Sequence, residues 1–124
     1  MIEFGVYKAA SIIRLATFRR VLENDFARRI IGFDAFGKFP QNASDAASDA
    51  AFIAKFENEG CNGLSLSEVQ ELIDFKSFEN VELVAGNVFD TLPNWLSANP
   101  HCRIAFLHLD MVVYAPTKFV LDEL

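Results

Sequence analysis

The sequence predicts an α/β chain with a mostly parallel sheet. Two observations carry that prediction. Short apolar stretches alternate along the chain with stretches of 3.6-residue apolar period, the pattern of strands joined by crossover helices. And the apolar run Ile104-Ala105-Phe106-Leu107-His108-Leu109 leads straight into Asp110 and then a turn. In open α/β sheets ligands sit outside the carboxyl ends of the strands, so that aspartate falls where chemistry is usually found.

Taken in order, Ile2 to Tyr7, with Gly5 inside it, reads as a strand ending in a loop. Ala9 to Asn24 is a helix, with Ile12, Ile13, Leu15, Ala16, Phe18, Val21 and Leu22 on its apolar face and Ser11 available near its start as a cap. Arg29 to Phe33 is a second strand ended by Asp34, and Phe36 to Pro40 is a loop. Gln41 to Ala51, small and polar, is the least structured part on composition. Helical period returns at Ala51 to Glu59 and breaks at Gly60 and Gly63. Ser65 with Glu68 fits a capping box ahead of Val69, Leu72 and Ile73. Val81 to Ala85 is a third strand. Asp90 to Ala98 is a short helix with Pro93 in its first turn. Ile104 to Leu109 is the fourth strand, and Pro116 opens a final helix. Alternating strands and helices imply a doubly wound, Rossmann-like three-layer α/β/α sandwich of about four strands, and the Rossmann-like order 3-2-1-4 is expected, with the first and fourth strands as neighbours. The fourth strand lies at an edge, where an apolar strand invites pairing. A second copy of the chain is expected to cover Ile104–Leu109, making a homodimer.

Composition narrows the function. At 124 residues the chain is one domain, 1–124, with 52% hydrophobic residues and 13 phenylalanines, a core rich for this size. No apolar run approaches the ~20 residues of a membrane span. Met1 leads directly into Ile2-Glu3-Phe4 without a basic leader and apolar block, so the expected location is cytoplasmic. A net charge of −6 argues against nucleic acid or an anionic membrane surface as partner. Arg14, Arg19, Arg20, Arg28 and Arg29 cluster early and read as the wet side of one helix and its following loop, ahead of a phosphate patch. Cys61 and Cys102 are expected free, and neither has neighbours at zinc spacing; His101 beside Cys102 makes only a pair.

Four places could carry chemistry. Gly5, in the loop from first strand to first helix, permits close backbone approach of a nucleotide-like ligand, or is simply a strand-to-helix turn. Asp34 can accept hydrogen bonds from two ribose hydroxyls, or cap a turn. Asn87, after the third strand, could bond an adenine edge. Asp110 can bind a divalent metal through hard oxygen or accept a proton. His108, two residues earlier, reads as a core histidine ahead of a general base, and Tyr114 as packing.

Together these pieces resemble the macrocin O-methyltransferase family of class I S-adenosylmethionine-dependent methyltransferases. The residues that carry the resemblance are Glu3-Phe4-Gly5-Val6-Tyr7 with Ser11; Ile31-Gly32-Phe33-Asp34-Ala35-Phe36-Gly37-Lys38-Phe39-Pro40; Val84-Ala85-Gly86 with Asp90-Thr91-Leu92-Pro93; and Leu107-His108-Leu109-Asp110 with Tyr114, Pro116 and Thr117. The resemblance implies S-adenosylmethionine as cofactor, with magnesium in some members, and a small-molecule acceptor bearing a sugar hydroxyl. It places Glu3, Gly5 and Ser11 in the cofactor site, the latter two by the methionine part. It gives the ribose to Asp34, the adenine to Asn87, and both the catalytic and the metal role to Asp110. The chain departs from the family at three points. The first-loop glycine is replaced near Ala9 and Ala10. Val112 stands where a second aspartate is usual. The later acidic pair and the last strands would lie past Leu124, so the domain is expected to be truncated. Two readings follow: an O-methyltransferase, or a non-catalytic module derived from one that assembles as a dimer.

Overall fold

The computed structural model describes residues 1–40 and 47–124. Its strands are β1 (Ile2–Phe4), β2 (Ile30–Asp34), β3 (Val81–Ala85) and β4 (Leu107–Leu109), and its helices are α1 (Ala10–Leu22), α2 (Ala47–Asn58), α3 (Leu66–Phe75), α4 (Val88–Ala98) and α5 (Tyr114–Glu123). The strands form one sheet in the order β3-β2-β1-β4, every pair parallel. That is the architecture expected from the alternation of apolar periods.

Period two along the strands sorts the core into two halves. Ile2, Phe4, Ile31 and Phe33 point to one face, where Leu92 and Trp95 of α4 and Val120 of α5 cover them. Phe4 stacks on Phe33 at 4.7 Å, and the Trp95 edge meets Phe33 at 5.7 Å. The opposite face is closed by Ile12 and Ala16 of α1 and by Val69 and Ile73 of α3. Gly32 makes this second packing possible: a Cβ there would lie 2.7 Å from Ile12 Cδ1 and 2.9 Å from Val6 Cγ2.

Several expectations need correction. Ser11 does not cap α1. The N-cap is Ala9, in a left-handed conformation with no side-chain bond, and the Ser11 hydroxyl donates instead to Glu3 Oε1. The apolar face assigned to α1 is only half right. Phe18, Val21 and Leu22 are exposed, whereas Arg19 is buried. Its guanidinium donates to the carbonyls of Arg28 (2.7 Å), Asn80 (3.0 Å) and Glu79, tying α1 to the turns that precede β2 and β3. Arg19 therefore leaves the predicted wet arginine cluster. Its neighbours are engaged too: Arg20 with Asp25, Arg28 with Glu23, and Arg29 with Glu82.

Helix α2 begins at Ala47, four residues before the predicted start, so only residues 41–46 of the polar stretch 41–51 lie outside the described residues. The capping box of Ser65 and Glu68 forms as expected. In α4 the cap is Asn87, whose side chain accepts from the Phe89 N–H at 3.2 Å; Pro93 is the sixth helical residue, not a first-turn one. α5 starts at Tyr114, ahead of Pro116, and the buried Asp49 of α2 accepts the Tyr114 N–H at 3.2 Å. β4 has three residues rather than six. Its register with β1 runs Ile2↔Leu107 to Phe4↔Leu109, so the strand starts at Leu107; the Ile2 N–H still donates to the Phe106 carbonyl at 2.9 Å, and the Ile104 and Phe106 side chains are exposed.

Candidate functional site

All four strands deliver their carboxyl ends to one cavity of about 350 Å³. Gly5 follows β1, Asp34 ends β2, Gly86 and Asn87 follow β3, and Asp110 follows β4; all five line it. The carboxylates at positions 34 and 110 thus share a rim, as the parallel order requires. The volume lies in the range of small-molecule sites.

Gly5 is where two of these loops touch. Its φ is +91°, and a Cβ there would lie 2.3 Å from the Asp110 carbonyl oxygen. The Asp110 N–H donates to the Phe4 carbonyl at 2.8 Å, extending the β1–β4 ladder by one bond. The glycine is thus required by the approach of one protein loop to another.

Asp34 organises the rim. Its Oδ2 accepts the Tyr7 N–H at 2.9 Å and its Oδ1 accepts the Phe36 N–H at 2.7 Å. Both of those residues have left-handed backbones, with φ of 50° and 55°. The carboxylate therefore pins two strained turns, and each oxygen retains a lone pair for a further hydrogen bond. The Asn87 Oδ1 is occupied by its cap bond, which leaves its amide N–H groups free to donate.

Glu3 and Ser11 do not line the cavity. Glu3 is fully buried on the α1 side of β1, where its Oε1 takes the Ser11 hydroxyl and lies 3.4 Å from His108 Nδ1. Among the described residues its Oε2 has no partner. Burial raises the Glu3 pKa above the ordinary value; Ser11 and His108 oppose the rise, and the charge of Asp110 adds to it. His108 is thus a partner of this buried carboxylate, but with its side chain 37% exposed it lies at the margin of the core instead of inside it.

Among the wall residues that escaped the sequence reading as site residues are the aromatics Tyr7, Phe39 and Phe56. The Phe56 ring centre stands 5.8 Å from both Tyr7 and Phe39. Tyr7 is held from its other side by the Leu64 N–H, which donates to its carbonyl at 2.9 Å. The cluster Phe36-Gly37-Lys38-Phe39-Pro40 could have signalled an aromatic rim, but nothing in the sequence joins it to Phe56. Val112 also lines the cavity, with φ of 53°, a conformation that β-branched residues rarely adopt.

Among the described residues no three His, Cys, Asp or Glu side chains are grouped so as to hold a metal ion. Asp110, with Val112 two residues on, is one hard ligand where magnesium prefers six oxygens. The described residues by themselves do not supply the donor set of a magnesium site. Among the described residues no helix is long and apolar enough to cross a membrane.

No family model matches this chain, and no curated protein matches it. Solved structures do. It is similar to the apo structure of CalS11, a TDP-rhamnose 3′-O-methyltransferase of calicheamicin biosynthesis, at 29% identity and a TM-score of 0.64, over 99% of this chain and 47% of that one. It is likewise similar to a crystal structure of CalS11 described as the calicheamicin methyltransferase, at 28% identity and a TM-score of 0.66, over 99% of this chain and 51% of that one. The chain spans about half the length of the structures it matches, and its α/β fold is methyltransferase-like.

Proposed function

We propose that this chain binds S-adenosylmethionine in the rim cavity and belongs to a sugar O-methyltransferase. The observation that carries the reading is the convergence of all four strand ends on one cavity, in a fold shared over 99% of the chain with a sugar O-methyltransferase. The lining suits the cofactor. Its charged side chains are Asp34 and Asp110 against Lys38, an acidic balance for a ligand with a cationic sulfur and a ribose diol.

When bound, the cofactor supplies an electrophilic methyl group. The chain's own residues do the rest. Asp34 accepts from the ribose hydroxyls with the lone pairs its backbone bonds leave free. Asn87 donates its amide N–H toward the adenine edge. Gly5 lets the Asp110 loop close onto the β1 loop beside the ligand, and Glu3 with Ser11 holds the start of α1 beneath the methionine part. Asp110 accepts the proton that the acceptor hydroxyl loses as its oxygen takes the methyl. Alignment of hydroxyl and methyl is the main demand of such a transfer, and the pinned loops supply it. No step is assigned to magnesium.

A second reading, a non-catalytic module that assembles as a dimer, draws on two observations. Val112 contributes no second acid beside Asp110, and the segment leading into β4 exposes Ile104 and Phe106. A second copy laid along Ile104–Leu109 would bury both. Titration calorimetry with S-adenosylmethionine, followed by turnover on sugar nucleotides, separates the readings. Saturable binding with methyl transfer supports the enzyme. Binding without transfer, together with a dimer in light scattering that Phe106→Lys dissociates, supports the module. Absence of saturable binding overturns the cofactor assignment.

A further inference from the structure

We infer that Tyr7, Phe39 and Phe56 form a cation-recognising wall of the cavity, one that takes the sulfonium of S-adenosylmethionine in preference to the neutral thioether of S-adenosylhomocysteine. The inference rests on the cofactor reading above and assigns a selectivity to residues that reading leaves unused.

Three observations support it. The rings are tilted against one another, Tyr7 by 55° and Phe39 by 84° relative to Phe56, so π faces and edges point in different directions along the wall. A ring face attracts a cation within about 6 Å of its centre. The Tyr7 ring already does so, with the Lys8 ammonium 5.2 Å from its centroid. Second, the fold holds Tyr7 in place at a cost. Its left-handed backbone, φ 50°, is fixed by Asp34 on the N–H side and by Leu64 on the carbonyl side. Strain that is held so firmly at a cavity wall points to a positioned side chain. Third, charge on the lining agrees in sign: Asp34 and Asp110 outnumber Lys38, which favours a cationic ligand over a neutral one of the same shape.

Cation–π attraction of this kind is worth about 2- to 30-fold in affinity. Calorimetric titration of the whole chain with S-adenosylmethionine and with S-adenosylhomocysteine should show the cation bound at least about fivefold more tightly. Phe56→Leu, which keeps most of the volume, should bring that ratio toward one while leaving the affinity for the neutral compound nearly unchanged. Tyr7→Leu should do the same, and Tyr7→Phe, which keeps the ring, should retain the ratio; circular dichroism checks that each variant folds. Equal binding of the two compounds by the native chain, or a proportional loss for both in Phe56→Leu, overturns the inference and leaves the cofactor reading standing. Trimethylsulfonium separates the two claims from the other side. Shifts of the Tyr7 and Phe56 ring protons with that ion, in a chain that binds neither adenosyl compound, support the wall and overturn the cofactor reading. No shift, with neither compound bound, overturns both.

Discussion

Replacing Gly5 by alanine probes the joint between the β1 and β4 loops. The new Cβ would stand 2.3 Å from the Asp110 carbonyl oxygen and 2.7 Å from its carbon, and neither backbone atom can rotate away. The φ of +91° adds strain for any L side chain. The conformational part costs about 1–2 kcal/mol. Overpacking against fixed atoms costs about 1–3 kcal/mol more. A total of about 2–5 kcal/mol is a large share of the 5–15 kcal/mol by which domains of this kind are stable. At about 3–5 °C per kcal/mol for a chain of this size, the melting temperature should fall by about 6–25 °C. Gly60→Ala is the control. Its φ is +73°, yet a Cβ there meets none of the described residues within 4 Å, so it carries the conformational cost alone. Urea unfolding of both variants gives the difference, and amide exchange at Asp110, which donates to the Phe4 carbonyl, locates it. If Gly5→Ala is no more destabilising than Gly60→Ala, the two loops do not meet as described.

Further outcomes follow from other parts of the chain. Arg19→Met should cost about 2–4 kcal/mol in urea unfolding, because the carbonyls of Arg28, Glu79 and Asn80 lose a charged donor; a loss below about 1 kcal/mol would show those bonds to be replaceable. Val112→Asn should stabilise the chain by about 0.5–1 kcal/mol, since asparagine tolerates the left-handed backbone that valine resists, and a lower unfolding midpoint would contradict the strain. Glu3 has a raised pKa, so the folded chain holds its proton to higher pH than the unfolded one. Its contribution to stability is therefore full below the ordinary carboxylate value of 4.5 and is lost as pH climbs through the raised value. Glu3→Gln should remove that fall from the stability–pH curve, and curves that stay parallel would exclude it.

What the sequence revealed, and what it hid, divides by the range of the interaction. β3 was legible to the residue, because Val81–Ala85 is a β-rich run with turn residues at both ends. The Ser65–Glu68 box was legible because its partners are three residues apart. The strand order followed from the Rossmann-like pattern of alternating strands and helices, and the shared rim of Asp34 and Asp110 from the parallel direction of the strands. Features set by distant partners were hidden. Arg19 looks like surface until the carbonyls at 79 and 80, sixty residues away, arrive to accept its bonds. Ser11 looks like a cap until a buried carboxylate at Glu3 competes for its hydroxyl. The apolar run 104–106 looks like strand, but pairing is set by β1, whose first residue, Ile2, stands opposite Leu107. The aromatic wall is assembled from three separate loops and helices, so no local spacing announced it.

The central claim is that the carboxyl ends of the four strands build one site for S-adenosylmethionine. Amide NMR shifts during titration with that compound test it most directly. The account predicts saturable shifts at Gly5, at Asp34 to Gly37, at Gly86 and Asn87 and at Asp110 to Val113, with Arg29 and Arg103 at the other end of the sheet unmoved. Saturating ligand that leaves the rim amides in place, or that moves the opposite end instead, would contradict it.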